Sequence, residues 1–399
     1  MVGSVSRSRT STEALSAPRR AFESVRHTGL RALVWDAKNT SSVLVARALR
    51  ARGWAVDWIG PATSPWGLAG AFDGERIATT NYADEILERV LWEHPLDALF
   101  LHGDDQVRWL LARWARLPPS IRRHLPEAAA FETALSKERS MQLARSLGVP
   151  VLESERCTSP ANVAAASLRL APGGEVVVKG EGGSAGSAVR ACRSGAPPSA
   201  PEWRAVARHS PVVLVQRRLR GPRLIVTVVY EHGTEHAACA HEKLHAWPFA
   251  FGPTAFGVTR RVEVVHDYAQ RVFAALRWHG IANIEFRQDL DDGRWYFMEI
   301  NPRVPSSIGI QALAGVDVAA TWAATCAGRG AEEAPGRAYR DGARYAWAVP
   351  GLALALRRPW SAPLWAPRCL LSPSCDLEAL EPQLRNRALR LGFWLARHT

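Results

Sequence analysis

A chain of 399 residues is too long for one simple core, so two or three domains are expected, and 47% hydrophobic with 22% charged residues is the composition of a soluble, globular protein. No apolar run reaches the roughly eighteen residues a membrane-spanning helix needs, so no stable membrane insertion is expected. The net charge of +12 raises nucleic acid as a partner, yet the basic residues are scattered and no helix-turn-helix, zinc-finger or RNA-binding signature appears; the charge reads as surface composition, and a polyanionic small substrate such as a nucleotide would also favour it.

Residues 1–29, rich in Ser, Arg and Thr without an apolar block, read as a disordered leader rather than a signal peptide. From 30 to 130 strand and helix alternate. Strands are predicted at 31–36, 54–60 and 97–103. Helices follow them: one carries Leu44, Ala48 and Leu49 on one face, and others lie at about 83–93 and 105–116. This pattern predicts an open, mostly parallel α/β domain, and without a G-x-G-x-x-G after the first strand it does not predict dinucleotide binding. The stretch HGDD (102–105) stands at the carboxyl edge of its strand, where Asp104 either touches substrate or caps the next helix; the cap is preferred.

A small subdomain (131–215) and a larger one (216–330) are expected next. The first opens on a helix capped by Ser136 and closed by Gly148 and Pro150. Strands are predicted at 174–179, 188–192, 211–216, 223–230 and 234–240, followed by an amphipathic helix with Val265, Tyr268, Ala269, Val272, Phe273 and Leu276 on one face. Residues 331–399 form an extension of no assigned structure. Its last segment reads as a basic amphipathic helix, docked on the body in preference to a membrane. The six cysteines are scattered without C-x-x-C, which fits reduced thiols and a cytoplasmic location.

Residues 281–300 read as a β-hairpin closed by Asp291-Asp292-Gly293 in a three-residue turn. That register pairs Ile284 with Ile300 and Phe286 with Met298 on an apolar face, and sets Glu285 opposite Glu299 on the other. Facing carboxylates repel. Either they hold a cation between them, with Asn301 adding an amide oxygen and Arg303 a fork for phosphate or carboxylate, or they lie on a solvated face and pair with Arg287 or other arginines. The full set favours the metal.

A second cluster, VVVKGEGGSAGSAV (176–189), delivers Lys179 from an apolar strand into a Gly/Ser loop whose backbone N–H groups are open to phosphate oxygens. It is not a P-loop, because the lysine precedes the glycines. Among fifty Lys and Arg only Lys38, Lys137, Lys179 and Lys243 are lysine, so each lysine stands out as a point charge.

Taken in order, Lys137 opening a helix, Lys179 before a Gly-rich loop, LVQRRLRG as a hinge strand, and Glu285 with MEINPR resemble the ATP-grasp superfamily over about 30–330. The N-terminal part resembles the preceding domain of carbamoyl-phosphate-synthase-like and amino-acid-ligase members, and residues 241–262 resemble their acceptor-substrate stretch. The resemblance implies ATP and Mg²⁺ (or Mn²⁺) as cofactors. It implies Lys137 and Lys179 on the phosphates and purine edge, and a flap of Gly182, Gly183, Ser184 and Gly186. The hinge would be Gln216, Arg217, Arg218 and Leu219; Glu285, Glu299 and Asn301 would take the metal, and Arg303 the transferring phosphoryl group. The hinge departs from the family pattern, with Arg217, Arg218 and Arg223 where acidic residues are usual.

The implied activity is a carboxylate–amine ligase acting through an acyl phosphate on small-molecule substrates, in a chain of a kind often dimeric. Lys243 and Arg260 or Arg261 are candidates for a substrate carboxylate. His241 and His245 are either helpers in amine deprotonation or loop residues, with the second preferred. A carboxylase or phosphotransferase, and an ATP-binding sensor without turnover, are the alternatives.

Overall fold

The structure is a computed structural model that describes residues 28–36, 40–60, 76–78, 84–93, 95–180, 186–247, 250–330 and 336–346. The predicted leader up to residue 27, nearly all of the C-terminal extension, and Gly182, Gly183 and Ser184 lie outside the described residues.

The first unit runs β1 (Arg31–Trp35), α1 (Thr40–Arg50), β2 (Ala55–Gly60), β3 (Arg76–Ala78), α2 (Asp84–Glu93), β4 (Ala98–Leu101) and α3 (Asp104–Leu111). Its four strands are parallel in the order β3-β2-β1-β4. β1 and β4 are buried almost throughout, as a sheet covered on both faces requires. The chain leaves β1 for β2 on one side and returns to β4 on the other, so a switch-point crevice opens above the ends of β1 and β4.

Short helices α4 (Pro119–Arg122), α5 (Ala128–Leu135) and α6 (Lys137–Ser146) follow. Ser136 caps α6 by accepting the Arg139 amide at 3.3 Å, as its position predicts. A small antiparallel sheet, ordered β5-β8-β6-β7, comes next, built from β5 (Ser154–Cys157), β6 (Glu175–Gly180), β7 (Val189–Arg193) and β8 (Val213–Arg217), with α7 (Pro160–Leu170) and α8 (Ala200–Val206) on it. Its core, centred on Val163, Val176, Val178, Val213 and Val215, is separate from the main one.

The large sheet is antiparallel throughout, in the order β13-β12-β9-β10-β11-β14. Its strands are β9 (Arg223–Glu231), β10 (Thr234–Ala246), β11 (Thr254–Thr259), β12 (Gly280–Gln288), β13 (Trp295–Asn301) and β14 (Arg344–Ala346). α9 (Glu263–Ala275) lies between β11 and β12 in the chain, and α10 (Ile308–Leu313) and α11 (Val318–Cys326) follow β13. The period-2 alternation of β12 decides its faces: Ile284 and Phe286 are fully buried, Phe286 against Tyr268 of α9, while Asn283, Glu285 and Arg287 share the opposite face.

The hairpin differs from its predicted form at two points that compensate. The turn has four residues, Leu290–Gly293, closed by Asp289 and Arg294, with Gly293 in the left-handed region (φ 71°). A β-bulge at Met298 absorbs the offset, so Phe286 pairs with Phe297 rather than Met298. Beyond the bulge the predicted pairs return: Glu285 faces Glu299 and Ile284 faces Ile300. The 241–262 stretch is also more regular than expected, since β10 runs on to Ala246 and β11 pairs back on it.

Candidate active site

A cleft between the two antiparallel sheets collects Lys137 from the start of α6, Lys179 from β6, and Gln216, Arg217 and Leu219 from β8 and the segment after it; Glu285 and Arg287 come from β12, Glu299 and Asn301 from β13, and Arg303 beyond. Glu285 and Glu299 are register partners on the cleft face. Around them stand cations. Lys243 Nζ lies 3.7 Å from Glu285 Oε2 with its side chain only 5% exposed, and it donates to the Gly252 carbonyl at 3.1 Å. Burial by itself would raise the Glu285 carboxyl, but Lys243, Arg223, Arg303 and Lys179 outweigh it and hold the group below its ordinary value. Burial lowers Lys179 to about 8, with Lys137 and Arg223 pushing the same way against Glu299 and Glu285. Lys243 is lowered too, mainly by burial.

The donor set fits Mg²⁺ in one specific manner. Glu285, Glu299 and Asn301 offer hard oxygens, but no group of three or more Asp, Glu, His or Cys able to hold a metal occurs among the described residues. Two carboxylates and an amide leave the remaining positions to phosphate and water, which is how Mg²⁺ is held with nucleotides. Asn301 Nδ2 donates to Asn283 Oδ1 at 3.0 Å, which fixes the amide and directs its oxygen toward Arg303, 3.5 Å away.

Arg303 has an unexpected partner. Its Nε donates to Asp104 Oδ1 at 2.9 Å, across 199 positions of sequence. The preferred reading of Asp104 as a cap is therefore corrected: Gly103 occupies the N-cap, and the Gln106 side chain closes the helix start by accepting from the His102 and Gly103 amides. Asp104 instead ties the parallel unit to the acidic pair.

The hinge side chains are committed elsewhere. Gln216 Nε2 donates to Met141 Sδ at 3.2 Å, Arg217 is ion-paired with Asp289, and Arg218 with Glu175 at 3.1 Å. A base seated here would meet backbone, with Leu219 lining the cleft. Gly186, at φ 75°, ends the Gly-rich loop against the β10–β11 connection; a Cβ there would sit 2.5 Å from the Phe251 carbonyl, so only glycine fits.

One further expectation is corrected. Arg260 stands outside the cleft, paired with Glu242 at 3.0 Å. His241 is completely buried and burial lowers it to about 3, so it has no capacity to take a proton from an amine.

Continuous with the cleft, a cavity of about 820 Å³ runs to the β1/β4 crevice, lined by Ser41, His102, Asp104, Lys243, Thr254 and Ser307 among others. His102 Nδ1 lies 3.1 Å from Ser41 Oγ, while its buried Nε2 has no partner. His102 and Asp104 belong to the HGDD stretch at the strand edge, whereas Ser41 carries no signal in the sequence. The spacing of Arg287 two residues beyond Glu285 was the one local signal for its place on the cleft face.

These features define a class. A parallel α/β unit, a small antiparallel sheet and a large one bearing opposed acids make up an arrangement shared with solved structures of ATP-grasp fold, and the chain has that fold. Residues 209–348 match a family model described as ATP-grasp in the biosynthetic pathway with Ter operon. Among solved structures, the biotin carboxylase domain of Hydrogenobacter thermophilus 2-oxoglutarate carboxylase, in complex with MgADP, ADP and bicarbonate, matches with TM-score 0.58 and 16% identity over 74% of this chain and 69% of that one. An ADP complex of N5-carboxyaminoimidazole ribonucleotide synthetase matches with TM-score 0.59 and 16% identity over 76% and 78%. L-amino acid ligase from Bacillus licheniformis matches with TM-score 0.54 and 14% identity over 74% of each. No curated protein sequence matches significantly. No helix among the described residues is long and apolar enough to cross a membrane.

Proposed function

We propose that the protein is an ATP- and Mg²⁺-dependent ligase that joins a small carboxylic acid to an amine through an acyl phosphate. The observation carrying this reading is the in-register facing of Glu285 and Glu299 in a cleft otherwise crowded with cations. When bound, Mg²⁺ (or Mn²⁺, which suits the same oxygens) would be held by Glu285, Glu299 and the Asn301 amide oxygen and would neutralise phosphate charge. Lys137 and Lys179 contact the phosphates, and the backbone of 216–219 reads the base. Arg303, oriented by Asp104, steadies the transferring phosphoryl group.

In the first step a carboxylate oxygen attacks the γ-phosphorus and the bond to ADP breaks. In the second, the amine nitrogen attacks the acyl carbon, phosphate leaves, and the amine proton is released. A cavity of about 820 Å³ has room for an acid and an amine together. Lys243 is placed to orient the acid. A cytoplasmic setting belongs to this reading, with Cys157, Cys192, Cys239 and Cys326 as free thiols.

The test is Mg²⁺-dependent ADP release with a panel of amino acids, followed by trapping with hydroxylamine. Acid-dependent ADP and a hydroxamate are expected. ATP binding without any acid-dependent turnover would leave a sensor instead.

A further inference from the structure

Two strand residues from Glu285, on the same face of the large sheet, Arg287 is the direct register partner of Arg223. Like charges directly opposite one another on a sheet destabilise it. Neither arginine makes a close ion pair with an acid among the described residues, although Arg223 is near enough to Glu285 to help hold that carboxyl down. Arg287 Nε donates to the Gly221 carbonyl at 3.2 Å, and the Arg223 guanidinium lies 5.9 Å from the centre of the Phe251 ring. Both line the cleft with Lys137 and Lys179.

The place of the pair narrows what relieves it. One end of the cleft is the hinge: Gly221 follows Leu219 and lies so close to β12 that a Cβ would sit 2.3 Å from the Gln288 carbonyl. The other end is the acidic pair, about 7 Å further along β12. A ligand with its base at the hinge and its terminal phosphates at the acids passes over Arg223 and Arg287 in between. Sugar hydroxyls are held best by carboxylates that accept their protons, whereas guanidinium groups only donate and match phosphate oxygens better. They bind phosphate in bidentate fashion.

Building on the nucleotide reading above, we infer that Arg223 and Arg287 form a phosphate subsite that grips the nucleotide's own chain on the sugar side of the metal, at the α-phosphate. The phosphate chain, rather than base or sugar, then supplies most of the grip, in keeping with hinge side chains that are paired elsewhere.

The test measures binding of ATP, AMP and inorganic tripolyphosphate, with Mg²⁺, to the full chain and to Arg223→Leu and Arg287→Met. Tripolyphosphate should displace ATP from the unaltered protein with an affinity within about ten-fold of ATP, and each substitution should weaken both ATP and AMP at least about ten-fold. Without ligand, Arg287→Met should melt no lower than the unaltered protein, because one of two facing like charges is gone; a purely structural arginine would lower it. Unchanged ATP affinity in both variants overturns the inference, even if KM for the acid rises, since the anion would then belong to the second substrate. Loss of ATP with AMP unaffected also overturns it, placing the arginines on the outer phosphates. An unaltered protein that binds no nucleotide sinks both this inference and the proposed function, whereas ATP binding indifferent to the two substitutions sinks this one alone.

Discussion

Glu285 and Glu299 look equivalent in the sequence, yet their surroundings make them respond differently to substitution. Glu285 compensates the buried Lys243 ammonium, so Glu285→Ala leaves that charge unpaired and should cost about 3–5 kcal/mol of stability. Adding Lys243→Met should restore most of the loss, and urea denaturation of the two single variants and the double variant measures the coupling; strict additivity would refute it. Glu299 has no ion-pair partner among the described residues, so Glu299→Ala should leave the melting curve unchanged while ADP release falls by at least about a hundred-fold. Full activity in that variant would remove the metal assignment. Lys179, lowered to about 8 chiefly by burial, is a cation below that pH and neutral above it. Nucleotide affinity should therefore weaken as the pH rises through about 8, and Lys179→Arg should flatten the profile because guanidinium stays charged.

At the level of elements, the hinge between β8 and β9 is set against β12 by the bare backbone of Gly221. Gly221→Ala must push the hinge and hairpin apart, and should cost about 1–3 kcal/mol and weaken nucleotide binding together. Thermal melting and a binding titration on the same variant check this; loss of stability with affinity intact would separate hinge from site. The strand carrying the acids was legible because alternation alone splits β12 into an apolar face and a polar one. Local pattern could not reveal that the turn is one residue longer than read and that a bulge at Met298 recovers the offset; the register came out right beyond the bulge through two compensating departures. The helix α7 went unread although Ser159 and Pro160 carry its start signal, because Ala-rich sequence with a weak apolar stripe gives little periodicity. β11 and β14 are fixed by pairing with distant strands, so their Trp-, Pro- and Gly-bearing surroundings read as loop.

For the molecule as a whole, buried histidine sets the response to acid. Burial lowers His102, His124 and His241 to about 3 and His266 to about 4, whereas all four titrate near 6.5 once unfolded. The unfolded chain thus takes up protons that the folded one refuses, so stability is full above about 6.5 and drains away as the pH falls toward 3. The urea midpoint should drop clearly between about pH 7.5 and pH 5, and a midpoint that stays level would contradict the burial of these rings. No local pattern announced the contact between Asp104 and Arg303, which joins residues 199 positions apart.

That contact makes competence conditional. The guanidinium proposed to steady phosphoryl transfer is aimed by an acid borrowed from the parallel unit, whose core is continuous with that of the large sheet. Under the proposed function, removing the Asp104 carboxylate would therefore leave nucleotide binding in place and slow the transfer itself, a coupling of parallel unit to chemistry through one ion pair.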